Sequence, residues 1–129
     1  MVNKADEFTP ADFLHFVELD EFGDDWQQLG LDVEIDLLAL QMHIMSSPEF
    51  APVIPGTGGL RKLRFSPLGW KRGKSGAIRV CYAYFKSHWT VLLVMAYRKG
   101  QKETLTETEK RGIKEYLAKC EKWLDERNC

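Results

Sequence analysis

The sequence predicts an α+β fold, a small, mostly antiparallel sheet with flanking helices in the order β-α-(α)-β-β-β-α. Three observations carry this. The runs AIRVCYAYF (77–85) and WTVLLVMAY (89–97) are β-branched and aromatic, and only Lys86-Ser87-His88 separates them, the pattern of an antiparallel hairpin. A further short run, LRKLRF (60–65), precedes them with strand-like alternation. Two stretches with helical apolar spacing, starting near Asp32 and near Thr106, bracket the three strands. Helices covering one side of the sheet satisfy that order, with the hairpin strands at its centre.

Each element has its own justification. Residues 1–12 hold Pro10 and no apolar period, and read as a loose N-terminal arm before a single domain over 13–129. FLHFVEL (13–19) reads as a first strand. Asp24 and Gln27 have capping-box spacing, so a short helical turn is expected through Trp26 to Leu29, ended by Gly30. From Asp32, the residues Val33, Leu37, Leu40 and Ile44 fall three and four apart until Ser46-Ser47-Pro48 stops the helix. Three prolines and three glycines make 48–59 a structured loop. In the strand that follows, Leu63 and Phe65 share a face with Arg61, while Lys62 and Arg64 take the other. Residues 66–76 are a basic, glycine-rich loop. Thr106 and Glu109 form a capping box, and Ile113, Tyr116, Leu117, Cys120, Trp123 and Leu124 form one stripe of a helix to about Arg127.

Composition narrows the classes of function. A chain of 129 residues with 44% hydrophobic and 29% charged residues is one ordinary domain. Its longest apolar run, Val91 to Ala96, is too short to span a bilayer, and the acids near the start do not suit a signal peptide, so a cytoplasmic location is expected. Cys81, Cys120 and Cys129 are too few and too widely spaced for a disulfide framework or a zinc set. His15, His43 and His88 fall on three different elements, so no metal or triad chemistry is expected of them.

Net charge is −1, but the charges are segregated. Residues 1–60 hold one base against twelve acids, residues 61–102 hold eleven bases and no acid, and residues 103–129 hold six bases against seven acids. A 42-residue segment without a carboxylate points to a surface that meets polyanions. The alternative is internal neutralisation of basic strands by acidic helices.

Two motifs fail on inspection. Gly73-Lys74-Ser75 ends a phosphate-binding P-loop, but that motif needs glycine where Leu68 stands and a helix where AIRVCYAYF continues as a strand. GTGGL (56–60) precedes a strand instead of following one, so it is no dinucleotide fingerprint.

The cations remain. A hairpin turning about Ser87-His88 would set Arg79 opposite Ala96 and place Arg98 diagonally on the same face, beside the small residues Cys81, Ala83 and Ala96. Such an open basic floor suits a phosphate. Lys62 and Arg64 on the neighbouring strand, with Lys71, Arg72 and Lys74 in the loop, would wall it, and Phe65 and Trp70 are available to stack a base. Pairing of Arg79 and Arg98 with helix acids, with Trp70 in the core, is the competing reading.

The segments PVIPGTGGLRKLRF, GKSGAIRVCYAYF and VLLVMAYRKGQKETLTETE resemble the HigB branch of the RelE-like toxins of bacterial toxin–antitoxin systems, over roughly residues 13 to 125. The resemblance implies a ribosome-associated mRNA endonuclease (an mRNA interferase) that inhibits translation. Its partners would be mRNA on the ribosome and a cognate antitoxin of helix-turn-helix type, with no cofactor and no metal. In that chemistry the ribose 2′-hydroxyl attacks the adjacent phosphate, so the enzyme assists deprotonation, stabilises the added phosphorane charge and protonates the leaving oxygen. Matched by motif, Arg79 and Arg98 are the implied phosphate stabilisers, Arg64 a further clamp and Lys62 the proton-transfer group. Arg61, Trp70, Lys71, Arg72, Lys74, Lys99 and Lys102 are the implied RNA-binding set. The segment after Arg98 supplies no counterpart to the C-terminal catalytic tyrosine of RelE. Two other readings stay open: an inactive relative that binds RNA or the ribosome, and an interaction protein whose basic face docks an acidic partner chain.

Overall fold

A computed structural model describes residues 12–70, 77–101 and 104–127. The elements run β1 (His15–Glu18), α1 (Asp20–Gln28), α2 (Asp36–Ser46), β2 (Leu60–Phe65), β3 (Ile78–Phe85), β4 (Thr90–Arg98) and α3 (Glu107–Arg127). This is an α+β fold built on one four-stranded sheet of order β1-β4-β3-β2. β2 pairs antiparallel with β3 and β3 with β4, while β1 joins the edge parallel to β4. The hairpin strands are central, and a 3₁₀ turn at Lys86–His88 connects them. Among the described residues no helix is long and apolar enough to cross a membrane. Most of the expected arm over 1–12 lies outside the described residues.

The helices flank both faces of the sheet, which corrects the expectation that they cover one. Strand alternation sends Leu63, Phe65, Ile78, Val80, Tyr82, Val91 and Leu93 to one side, where Phe22 and Trp26 of α1 and Leu37, Leu40 and Ile44 of α2 meet them. Leu60, Cys81, Ala83, Phe85, Leu92 and Val94 face the other side, under Leu117 of α3.

Local chemistry explains the boundaries. α1 starts at Asp20, four residues before the expected cap, because Leu19 N–H still donates to Leu93 O at 3.0 Å and the chain turns into the helix directly from the sheet. Phe22 and Trp26, four apart, then bury on the same side and stack at 5.3 Å. Asp32 Oδ1 accepts from the N–H groups of Glu34, Ile35 and Asp36, forming a capping turn ahead of α2. These bonds, the one from Asp36 foremost and then that from Ile35, hold the Asp32 carboxyl below its ordinary pKa. At the N-terminus of α3, Thr106 and Glu109 exchange reciprocal bonds of 2.9 and 3.1 Å, the capping box read from the sequence.

The glycine-rich loop 56–59 is fixed in a similar way. Thr57 is fully buried; its Oγ1 donates to Ile54 O at 2.6 Å and accepts from Leu60 N–H at 3.0 Å. Gly58 adopts φ +73, and a Cβ there would stand 3.0 Å from Lys114 Cγ, so the loop packs directly beneath α3.

Candidate cation site on the α3 face

Register assembles the site. Arg64 of β2 lies opposite Arg79 of β3, and Arg79 lies opposite Tyr97 of β4; one step along, Lys62 lies opposite Cys81, and Cys81 opposite Met95. Directly opposed residues share a face, so Lys62, Arg64, Arg79 and Tyr97 all project toward the α3 side. Lys62, Cys81, Met95 and Tyr97 line a cavity of about 90 Å³ that Ile54 and Lys110 help to close.

A β-bulge decides which cations meet. From Tyr82↔Leu93 to Phe85↔Thr90 the pairing follows the register read from the sequence, but it shifts between Cys81 and Tyr82, where β4 carries the extra residue Val94. Beyond the bulge Arg79 faces Tyr97 instead of Ala96, and Arg98 faces Ile78. Arg98 and Ala96 therefore belong to the α1–α2 side, which corrects the expected Arg79–Arg98 pair. The Arg98 guanidinium lies 4.4 Å from the centroid of the Trp70 ring, and Trp70 packs against the core of that side. Trp70 is therefore a partner of Arg98, and does not stand over the Arg79 face.

The remaining expected residues divide. Arg61 points away from Lys62, and its Nη1 donates to Glu49 O and Ala51 O at 2.8 and 2.7 Å, which ties down the loop before β2. Lys99 is exposed just past β4. Lys71, Arg72, Lys74 and Lys102 lie outside the described residues. Phe65 is buried against Trp26 and His43, which removes it as a platform for a base.

Electrostatically the site is one-sided. Among the described residues no carboxylate pairs with Lys62, Arg64 or Arg79. The Arg79 Nη1 is buried and, among the described residues, has no hydrogen-bond partner, a costly state for a charged donor. Burial, and then the Cys81 thiol with which it shares a hydrogen bond, push the Tyr97 hydroxyl up to about 12, against an opposing pull from Arg79. Tyr97 is thus protonated at neutral pH and acts as a donor.

Tyr97 and Lys110 are the residues that sequence reasoning missed. Tyr97 stands beside Arg98 in the chain, and only the bulge turns it toward Arg79. Lys110 follows the recognised capping box by one residue, but nothing local records that this helix end sits over the loop at Gly56. Among the described residues no group of His, Cys, Asp and Glu forms a metal cluster. The arrangement is a small concave site with cationic and hydroxyl donors, suited to an oxyanion. A scan against models of known protein families finds no match for this sequence.

Proposed function

We propose that the protein is a ribosome-associated mRNA endonuclease of the RelE/HigB kind, the toxin of a toxin–antitoxin pair, acting through the α3 face of its sheet. The observation that carries this reading is the buried Arg79 Nη1, which among the described residues has no hydrogen-bond partner, on the face it shares with Lys62, Arg64 and Tyr97, with no opposing carboxylate among those residues. A phosphate oxygen would satisfy that donor, and a phosphorane with its additional charge would satisfy it better. The charge segregation of the chain and the resemblance of its strand motifs support RNA as the source of the phosphate.

In this reading the 2′-oxygen forms a bond to phosphorus and the P–O5′ bond breaks, leaving a cyclic phosphate and a 5′-hydroxyl. Arg79 and Arg64 hold the non-bridging oxygens. Lys62, as an ammonium, gives a proton to the leaving 5′-oxygen and takes up the one released by the attacking 2′-hydroxyl, so it ends the step protonated as it began. Tyr97, protonated and adjacent, donates a hydrogen bond to the developing charge. Arg98, stacked on Trp70 on the other side of the sheet, contributes to RNA affinity and not to the chemical step.

Inducible expression tests this, with growth followed and the 5′ ends of cellular transcripts mapped. Wild type arrests growth and creates new ends within translated messages, Lys62→Ala and Arg79→Ala abolish both, and Arg98→Ala retains them. Normal growth and intact transcripts, with folded protein confirmed, overturn the nuclease reading. Retained RNA affinity without cleavage assigns the site to a non-catalytic RNA-binding relative.

A further inference from the structure

The α3 face of the sheet is wider than one helix, and the described chain places one there. Four strands span roughly 19 Å at ~4.8 Å spacing, whereas a helix with its side chains is about 10–12 Å across. α3 approaches closely at the loop before β2, where Lys110 and Lys114 stand over Gly56 and Gly58, and Leu117 is its one buried residue. Toward β4 a groove of about 760 Å³ remains between α3 and α1. Its lining is apolar at Leu19, Val94 and Ile113, and its rim carries Asp20 and Glu21 from α1 and Glu109 from α3. Among the described residues Asp20 and Glu21 form no ion pair.

We propose that this groove docks a basic amphipathic helix of a partner protein, its apolar stripe on Leu19, Val94 and Ile113 and its Lys or Arg side chains against Asp20, Glu21 and Glu109. Charge complementarity selects the occupant, because an acidic helix would bring like charges together along an apolar surface. A helix fits better than an added strand, because the β4 edge is already closed past β1: Ala96 N–H donates to Asp25 Oδ2 at 3.0 Å and Arg98 N–H donates to Gln101 Oε1. Met95 and Tyr97 line both this groove and the smaller cavity beside Lys62, so an occupant would lie against the candidate site. The groove stands on its own geometry whether or not the site cleaves RNA.

The probe is a ~16-residue helical peptide with leucines at i, i+3, i+4 and i+7 spacing and lysines elsewhere, compared with its glutamate counterpart. Both are titrated into the isotope-labelled full chain. The lysine peptide binds with Kd on the order of 100 µM or tighter and perturbs Ala96, Gly112 and Tyr116, while the glutamate peptide binds at least about tenfold more weakly. Gly112→Leu fills the groove; no atom lies within 4 Å of a Cβ at this helical position, so the fold tolerates it. It weakens the lysine peptide about tenfold or more, and Glu21→Lys narrows the preference for lysine over glutamate. Absence of binding, equal affinity for both peptides, or indifference to Gly112→Leu overturns the proposal. A dimer of the free chain that Gly112→Leu dissociates overturns it in favour of a second copy.

Discussion

Arg79 faces Tyr97 directly across β3 and β4, and its buried Nη1 has no hydrogen-bond partner among the described residues. The contact exists because the bulge at Val94 turns the end of β4 by one residue. It sets a permanent cation beside a tyrosine hydroxyl whose pKa burial raises, and that tyrosine lines the small cavity next to Lys62.

Substitution at this pair separates chemistry from affinity. Arg79→Ala is expected to lower cleavage by about 10²–10³-fold, the usual loss for one transition-state donor, and Tyr97→Phe by less. On the proposed nuclease reading, Arg98→Ala is expected to weaken RNA binding without lowering the single-turnover rate. Single-turnover cleavage and RNA affinity, measured side by side, distinguish these outcomes.

Alkali probes Tyr97 independently of any activity. Its pKa is about 12 in the fold and near 10.0 otherwise, so in between the native state holds a proton that the unfolded chain has released. Its contribution to stability is therefore complete below pH 10 and is lost as the pH rises toward 12. Tyr82, Tyr84 and Tyr116 are shifted the same way, chiefly by burial. Urea midpoints of wild type should fall with pH across this window, and Tyr97→Phe should fall less steeply.

Asp25 closes the sheet where β1 ends, by accepting from the Ala96 N–H. Removing the acceptor strands a partly buried donor beside the bulge. Asp25→Ala is expected to cost about 1–3 kcal/mol of stability, and Asp25→Asn, which keeps an oxygen, distinctly less. Denaturant unfolding of the two variants supplies the comparison.

Two glycines should respond in opposite directions to alanine. Gly58 combines φ +73 with a close approach to Lys114, so Gly58→Ala should destabilise by about 1–2 kcal/mol. Gly23 lies inside α1 with open space around it, and Gly23→Ala should stabilise by about 0.5–1 kcal/mol. Thermal or urea midpoints of the two variants, set against wild type, read both signs.

Asp32 ties three successive N–H groups at the entry to α2. Its carboxyl titrates below the ordinary aspartate value of 3.8, so this contribution is present above that value and lost as the pH falls through the lowered one. Asp32→Ala should lower the urea midpoint at neutral pH, with the gap from wild type closing in acid.

Much of the architecture was legible because its signals are local. The alternation in LRKLRF located β2 to the residue, and the Thr106–Glu109 box located the start of α3 to within one. The separation of Lys62 and Arg64 from Arg61 followed from strand period alone. α1 was harder to bound: it starts from the hydrogen bond of Leu19 to Leu93, a contact between residues 74 positions apart, where Leu19 offers no capping side chain.

Local sequence signals carried the order of elements, the central hairpin, and a basic middle segment that follows an acidic first half. Tertiary structure alone decided which cations meet. One extra residue in β4 reverses the face of everything after it, because side chains alternate with a period of two, so Tyr97 takes the place expected of Ala96 opposite Arg79 and Arg98 passes to the other face. Val94 resembles its neighbours in size and hydrophobicity, so nothing local marks it as the bulge. The position of α3 likewise depends on how Gly58 meets Lys114 across the fold, and that position leaves the groove beside β4 open.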